Sequence, residues 1–331
     1  MVKIKLYGVR DEEVSMAQAW SQANGVEISM TKEMLSPDNV SQAEGFDGVS
    51  LSQVGQLDAS IYPTLKDMGI KQIAQRSAGV DMYDLQLAKE NDIIITNVPS
   101  YSPESIAEWS VTVALNLIRH YNLIQERVRQ QNFSWTPEIR GRVIGDMTVA
   151  VIGTGRIGQC VAKFFHGFGC KIVGYDLYPN EGIKSILEYK DSIEEAIKDA
   201  DIVSLHMPAT AETHHMFNYD MLKKFKKDAI ILNMARGALI KTEDLFKVLD
   251  EGHLFGAGLD TYEFEGPLIP KNLSSETIED EVFKQVLNHE RIIYSPHIAF
   301  YTDEAVKNLV EGGLNATLDV IQTGDSKQRV N

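Results

Sequence analysis

Thr148-Val149-Ala150-Val151-Ile152-Gly153-Thr154-Gly155-Arg156-Ile157-Gly158 is the stretch of this 331-residue chain that decides its fold. The first five residues read as a buried strand, and a G-x-G-x-x-G spacing then leads into a helical stretch from Gln159. Each glycine has its own reason. Gly153 allows a tight turn, Gly155 lets backbone approach a pyrophosphate, and Gly158 lets the helix pack on the strand. The helix N-terminus supplies free N–H groups and a partial positive charge to the phosphates. The next strand, residues 171–175, ends at Asp176. An acid about 20 residues after the glycines can accept hydrogen bonds from both ribose hydroxyls and repels the extra phosphate of NADP, so the predicted cofactor is NAD.

Beyond this stretch, further strands are predicted at 202–205, 229–232, 255–259 and 292–294, six in all with helices between them. That is a full doubly wound dinucleotide domain. Upstream, short runs at 3–9, 26–30, 48–51, 71–75 and 93–96 alternate with helical patterns such as 13–24 and 83–90, which predicts another covered parallel sheet. Residues 97–101 read as a connection. Ser102-Pro103-Glu104 then supplies an N-cap, a proline at the first helical position and an acid in the first turn. The helix it opens is read as running to about Gln131, roughly 45 Å, enough to cross between domains. A last helix, about 303–321, has Val306, Val310, Leu314, Leu318 and Ile321 on one face, suited to packing back on the first domain. The predicted fold class is therefore α/β, with two doubly wound parallel-sheet (Rossmann-like) domains and a cleft between them. Residues 1–100 plus 300–331 form the substrate domain, and residues 101–299 bind NAD.

Composition narrows the partners. Thirty-two basic against 47 acidic residues leave a formal charge of −15, a field that disfavours nucleic acid and anionic membrane. No run approaches the ~18 apolar residues a membrane span needs, and the N-terminus alternates like a strand and lacks the apolar core of a signal peptide. Two cysteines, Cys160 and Cys170, are too few for a disulfide framework and fit a reducing compartment. Buried, inert thiols in a cytoplasmic protein are expected.

Three strand ends downstream of the glycines carry what reduction of a 2-keto acid requires: a cation for the carboxylate, a proton donor for the carbonyl oxygen, and a group that tunes the donor. Asn233-Met234-Ala235-Arg236-Gly237 supplies the cation, Asp260-Thr261-Tyr262-Glu263-Phe264-Glu265 the carboxylates, and Ser295-Pro296-His297 the histidine. Alone, each has an ordinary explanation. Their joint occurrence at successive strand ends is what points to a site.

Over essentially its whole length the chain resembles the D-isomer-specific 2-hydroxyacid dehydrogenases, and within them the bacterial members acting on D-lactate and D-2-hydroxyisocaproate. The resemblance is carried by Arg76-Ser77-Ala78-Gly79-Val80-Asp81, residues 97–103, the glycine fingerprint, Leu205-His206-Met207-Pro208, Ala235-Arg236-Gly237, residues 260–265 and Pro296-His297. It implies that Arg236 binds the substrate carboxylate and that His297 exchanges a proton with the C2 oxygen. Glu265 would hold the imidazole by a hydrogen bond and favour its charged form. Cofactor contacts are implied at Arg156, Ile157, Met207, Pro208, Thr213, Met234 and Ala235, with Asp260 near the nicotinamide ring. Substrate contacts are implied at the backbone of Ala78 and Gly79 and at the side chains of Tyr101 and Phe300. A homodimer joined through the cofactor domain is the family expectation.

Glu263 reads as a solvated or capping acid, and His206 as a structural histidine. His214-His215 would need converging side chains to bind metal, which neighbours in sequence do not provide, so no metal is predicted. Two positions depart from the family pattern. Ser52 stands where many lactate-specific members carry tyrosine, and Phe264 where several have a small or polar residue. The resemblance implies reduction of pyruvate to D-lactate, with a preference for longer 2-keto acids as the alternative. A rival of another class is an NAD-sensing binding protein on the same scaffold.

Overall fold

The computed structural model describes residues 1–331 as two units, Met1–Ser102 with Tyr301–Asn331 and Pro103–Phe300. The first unit begins β1 (Lys3–Tyr7), α1 (Glu13–Asn24), β2 (Glu27–Met30), β3 (Gly48–Leu51), α2 (Ile61–Asp67), β4 (Gln72–Gln75), α3 (Leu85–Glu90) and β5 (Ile94–Thr96). Its five strands are all parallel, in the order β2-β1-β3-β4-β5. β3 and β4 are buried throughout, as strands covered on both faces must be. α3 starts two residues later than the periodicity predicts. Asp84 holds an extended conformation there and accepts the Leu87 N–H at 2.9 Å, which makes it the N-cap.

The second unit contains α4 (Pro103–Ile118), α5 (Tyr121–Arg129), β6 (Thr148–Ile152), α6 (Arg156–Gly167), β7 (Lys171–Tyr175), β8 (Leu187–Tyr189) and α7 (Ile193–Ile197). It continues with β9 (Ile202–Leu205), α8 (Tyr219–Leu222), β10 (Ala229–Asn233), α9 (Thr242–Asp250), β11 (Leu254–Leu259), α10 (Glu281–Asn288) and β12 (Ile292–Tyr294). The sheet has seven parallel strands in the order β12-β11-β10-β9-β6-β7-β8. The additional strand is β8, an edge strand of three residues, too short for a period to reveal it. The strand order reverses between β6 and β9, the position where open α/β sheets form their binding crevice.

The helix expected from Ser102 to Gln131 is two helices. α4 ends at Ile118, and His120 takes a left-handed conformation (φ 53°). The Arg142 N–H donates to the Ile118 carbonyl at 3.1 Å, so a returning segment satisfies an acceptor that another helical turn would otherwise have taken. α4 itself packs closely on the sheet: a side chain at Gly258 would lie 2.4 Å from Val113.

α11 (Asp303–Thr323) belongs to the first unit, where it packs against α1, β3 and β4. Thr302 caps its start by accepting the Ala305 N–H at 3.3 Å, and Gly324 ends it at φ 81°. No helix is long and apolar enough to cross a membrane.

Candidate active site

Because all seven strands of the second unit run parallel, their carboxyl ends lie along one edge of the sheet. That edge carries the glycine loop after β6, Asp176 after β7, Met207 and Pro208 after β9, Arg236 after β10, Asp260 to Glu265 after β11, and His297 after β12.

At β6 the three glycines occupy three different environments. Gly153 has φ 91°, and a Cβ there would lie 2.7 Å from the His206 carbonyl. At Gly158 a Cβ would lie 2.0 Å from the Gly153 oxygen, so only hydrogen allows α6 to sit this close to the turn. Gly155, the residue before α6, would meet nothing within 4 Å. Open space at the N-terminus of a twelve-residue helix fits a pyrophosphate held by backbone N–H groups. Arg156 and Ile157 begin that helix.

Asp176 is tethered from both sides. One carboxylate oxygen accepts the Thr154 N–H (2.6 Å) and hydroxyl (3.1 Å), and the other accepts the Tyr178 N–H (2.8 Å). The Tyr189 hydroxyl, 2.7 Å from Thr154 Oγ1, also accepts the Asn180 N–H at 2.9 Å. Because the single Thr154 hydroxyl proton goes to the Asp176 carboxylate, Tyr189 gives its own proton to Thr154. The acid is oriented, and a carboxylate has further lone pairs for ribose hydroxyls. Neither Thr154 nor Tyr189 was expected in this role.

After β9, His206 Nε2 lies 2.7 Å from Ser204 Oγ, and burial pushes this imidazole down to about 3, so it stays neutral. Met207 packs partly on the core, and Thr213 donates its hydroxyl to the Pro208 carbonyl at 2.8 Å. The loop after β10 is braced by buried Asn233, whose side chain donates to the Arg236 carbonyl (2.9 Å) and accepts the Ala235 N–H (3.1 Å). Met234 is buried in this turn and Ala235 is partly buried. The Arg236 guanidinium donates to the Ala235 carbonyl at 2.9 Å.

His297 has φ 55° and donates its N–H to the Asp260 carbonyl at 2.7 Å. Its Nδ1 lies 2.6 Å from Glu265 Oε1, with side-chain exposures of 38% and 21%. The pair is thus anchored yet reachable by a small molecule. Asp260 organises the backbone around it. Its buried carboxylate accepts the Ser295 hydroxyl (2.5 Å) and the N–H groups of Ile298 (3.0 Å) and Ala299 (2.8 Å). Burial pushes the Asp260 carboxyl up, and those three donors oppose it. Ser295 also accepts the Trp109 indole N–H at 2.9 Å. An acid directly after a buried strand was the one sequence signal for this brace.

Glu263 corrects the reading of a solvated acid. Its side chain is 6% exposed, it accepts the Thr242 N–H at the start of α9 (3.1 Å), and it pairs with His215 Nε2 at 2.6 Å. The capping part of the expectation holds, while solvation fails because the side chain turns inward beneath the loop. Phe264 points outward and is exposed. Cys170 is buried and Cys160 only partly so, and burial raises both thiols above their ordinary range.

In the first unit, Ala78 and Gly79 follow β4. The Asn97 side chain donates to the Ala78 carbonyl at 2.7 Å, and the Ser77 hydroxyl to the Gly79 carbonyl at 2.8 Å. Beneath them the fully buried Arg76 donates to the carbonyls of Tyr7 (2.9 Å), Gly8 (3.2 Å) and Ser50 (2.9 Å) and pairs with buried Glu13 at 3.4 Å. Tyr101 gives its carbonyl to Asn308 at 2.6 Å. Phe300 closes the second unit and is partly buried.

Comparison with known proteins gives one answer throughout. Residues 111–299 match the family described as D-isomer specific 2-hydroxyacid dehydrogenase, NAD binding domain. A D-lactate dehydrogenase of Streptococcus pyogenes serotype M1 is 64% identical over 330 residues, covering 100% of both chains. Among solved structures, a D-lactate dehydrogenase from Treponema pallidum superposes with a TM-score of 0.92 at 38% identity, covering 100% of both chains. A D-2-hydroxyisocaproate dehydrogenase gives 0.92 at 34%, covering 99% of each. With its glycine turn, tethered Asp176 and the strand-end set of Arg236, Glu265 and His297, this chain belongs to the D-isomer-specific 2-hydroxyacid dehydrogenases, NAD-dependent oxidoreductases whose NAD-binding domain it carries at residues 111–299.

Proposed function

We propose that the chain reduces pyruvate to D-lactate with NADH, with His297, Glu265 and Arg236 as its catalytic residues. The carrying observation is the 2.6 Å contact between His297 Nδ1 and Glu265 Oε1 on the sheet edge that also bears the glycine turn and Arg236. With Nδ1 held, Nε2 is the nitrogen left to face a carbonyl oxygen. Bound NADH supplies the hydride that reaches C2. His297 gives its Nε2 proton to the C2 oxygen as that carbon is reduced, and takes it back when a hydroxy acid is oxidised. Glu265 fixes the ring's orientation and tautomer. Arg236 suits the carboxylate because a guanidinium can donate two parallel N–H bonds to it.

The cofactor would rest on Gly153, Gly155, Arg156, Ile157 and Gly158 at its pyrophosphate and on Asp176 at its ribose. Met207, Pro208, Thr213, Met234, Ala235 and Asp260 supply the remaining contacts. The substrate roles of Ala78, Gly79, Tyr101 and Phe300 rest on the family resemblance. The test follows NADH oxidation with pyruvate and with 2-ketoisocaproate, and NAD reduction with each lactate isomer. Turnover of pyruvate and oxidation of the D-isomer alone are expected. If pyruvate is about tenfold less efficient than every longer keto acid, the reading gives way to an isocaproate-type preference, which Ser52 favours by lacking a phenol. Folded native protein that binds NADH and turns over neither acid would instead favour the sensor reading.

Asp176 carries a second prediction. In Asp176→Ser the ratio of kcat/KM for NADPH to that for NADH should rise by about tenfold or more, since a repelling charge and a ribose acceptor go together. An unmoved ratio would remove Asp176 from cofactor choice.

Homodimerisation and a cytoplasmic location complete the proposal. α5 buries none of its residues, and Tyr121, Leu123, Val128, Phe133, Trp135 and Val143 along this stretch are all exposed, as a surface covered by a second copy would be in isolation. Two unpaired thiols suit a reducing compartment.

A further inference from the structure

We infer that His215 is a positioning residue for this reaction: its hydrogen bond to Glu263 fixes the backbone on which both Glu265 and Arg236 depend. The inference rests on the dehydrogenase reading above. His215 does not belong to the strand-end set, and nothing in that mechanism uses it.

The Glu263 carboxylate, with 6% exposure, needs partners, and its two oxygens are divided between different ones. Oε1 accepts the Thr242 N–H at 3.1 Å, a helix cap that needs no histidine. Oε2 lies 2.6 Å from His215 Nε2. With that donor withdrawn, half of a buried carboxylate is left uncompensated, and turning toward water is its relief.

Such a turn would move two neighbours at once. On one side the peptide joining Tyr262 and Glu263 lies directly against Gly237, where an added Cβ would be 2.1 Å from the Tyr262 carbonyl carbon and 2.3 Å from the Glu263 nitrogen. Gly237 follows Arg236, so the guanidinium's loop has no slack against that peptide. On the other side, the Tyr262 N–H donates to Glu265 Oε2 at 3.0 Å, and the Glu265 N–H donates to the Tyr262 carbonyl at 3.2 Å. The remaining Glu265 oxygen is the one that meets His297. One peptide therefore separates the residue that binds the substrate carboxylate from the residue that orients the proton donor, and Glu263 holds it in place.

His215 is itself anchored to the same turn. Its N–H donates to the Ala238 carbonyl at 2.8 Å, and its φ is 51°. Its ring lies 3.9 Å from that of His214, centroid to centroid.

The left-handed backbone makes a discriminating pair of variants available. Asparagine tolerates positive φ better than glutamine does, so a purely conformational role predicts that His215→Asn is the milder change. Positioning predicts the opposite order. The asparagine amide reaches only as far as Nδ1, whereas glutamine can place an N–H near the position of Nε2. Steady-state kinetics with pyruvate and NADH should show His215→Asn losing about tenfold or more in kcat with a raised KM for pyruvate, while the NADH dissociation constant stays within about twofold. His215→Gln should recover most of the kcat. Hydrogen exchange of residues 261–265 should be faster in the asparagine variant and close to native in the glutamine variant.

Native kcat in His215→Asn would overturn the inference, with or without faster exchange. So would a glutamine variant no better than the asparagine one. Failure of native protein to reduce pyruvate would instead overturn the substrate reading. The exchange comparison would then decide the inference, and native-like exchange in His215→Asn would end it.

Discussion

Replacing His297 by alanine is expected to lower kcat for pyruvate reduction by roughly 10²- to 10⁴-fold, the range over which a positioned general acid contributes. That corresponds to about 3–5 kcal/mol of transition-state stabilisation. NADH binding should change little, because the glycine turn after β6 and the histidine after β12 are supported by separate hydrogen bonds. The backbone at His297 complicates a simple alanine result. Its φ of 55° disfavours alanine, and part of any loss could come from a shifted loop. His297→Asn removes the imidazole while suiting that conformation. Equal losses in the two variants assign the effect to the missing proton donor. A large loss in alanine with near-native turnover in asparagine would assign it to loop geometry and remove His297 from proton transfer. The surroundings of Asp260 favour the first result, since Ser295, Ile298 and Ala299 hold the loop through groups that neither variant touches.

What the sequence made legible follows from how parallel sheets work. Arg236, Glu265 and His297 are far apart in the chain, yet each follows a strand, and parallel strands bring all their carboxyl ends to one edge. The glycine turn was readable because two of its positions, Gly153 and Gly158, are restricted to glycine by a steric cause, while Gly155 leaves open space at the helix N-terminus. The bracing was not readable. Tyr189 orienting Asp176 through Thr154, and Trp109 reaching Asp260 through Ser295, join residues whose spacing follows no period. The inward turn of Glu263 was hidden for the same reason, because the partner that draws it in, His215, lies 48 residues away. Local conformation set the remaining limits. The break after Ile118 uses His120 in a left-handed conformation where a glycine or proline would have announced it, and β8 is too short to show alternation. The candidate residues could thus be chosen by type and strand position, while the residues that hold them in place required the fold.

Arg236→Lys is expected to lower kcat/KM for pyruvate by roughly 10²- to 10³-fold, or about 3–4 kcal/mol, although the charge is kept. A guanidinium presents a rigid fork to the carboxylate, and an ammonium presents a single mobile point. The carboxylate then remains attracted but loses its orientation, so the C2 carbonyl is less often aligned with His297. Both constants should therefore suffer, with KM for pyruvate rising and kcat falling. The control is NADH affinity, because Met234 and Ala235 in the same turn are assigned to the cofactor. The Asn233 side chain bonds to backbone groups of Ala235 and Arg236, which lysine does not alter, so the turn should persist and the NADH dissociation constant should hold within about twofold. If NADH affinity falls in parallel with pyruvate efficiency, Arg236 acts by shaping the cofactor loop, and the cation that binds the substrate must be sought elsewhere. If only the pyruvate constants move, the guanidinium itself reads the carboxylate, and substitution by lysine measures what the planar fork contributes beyond its charge.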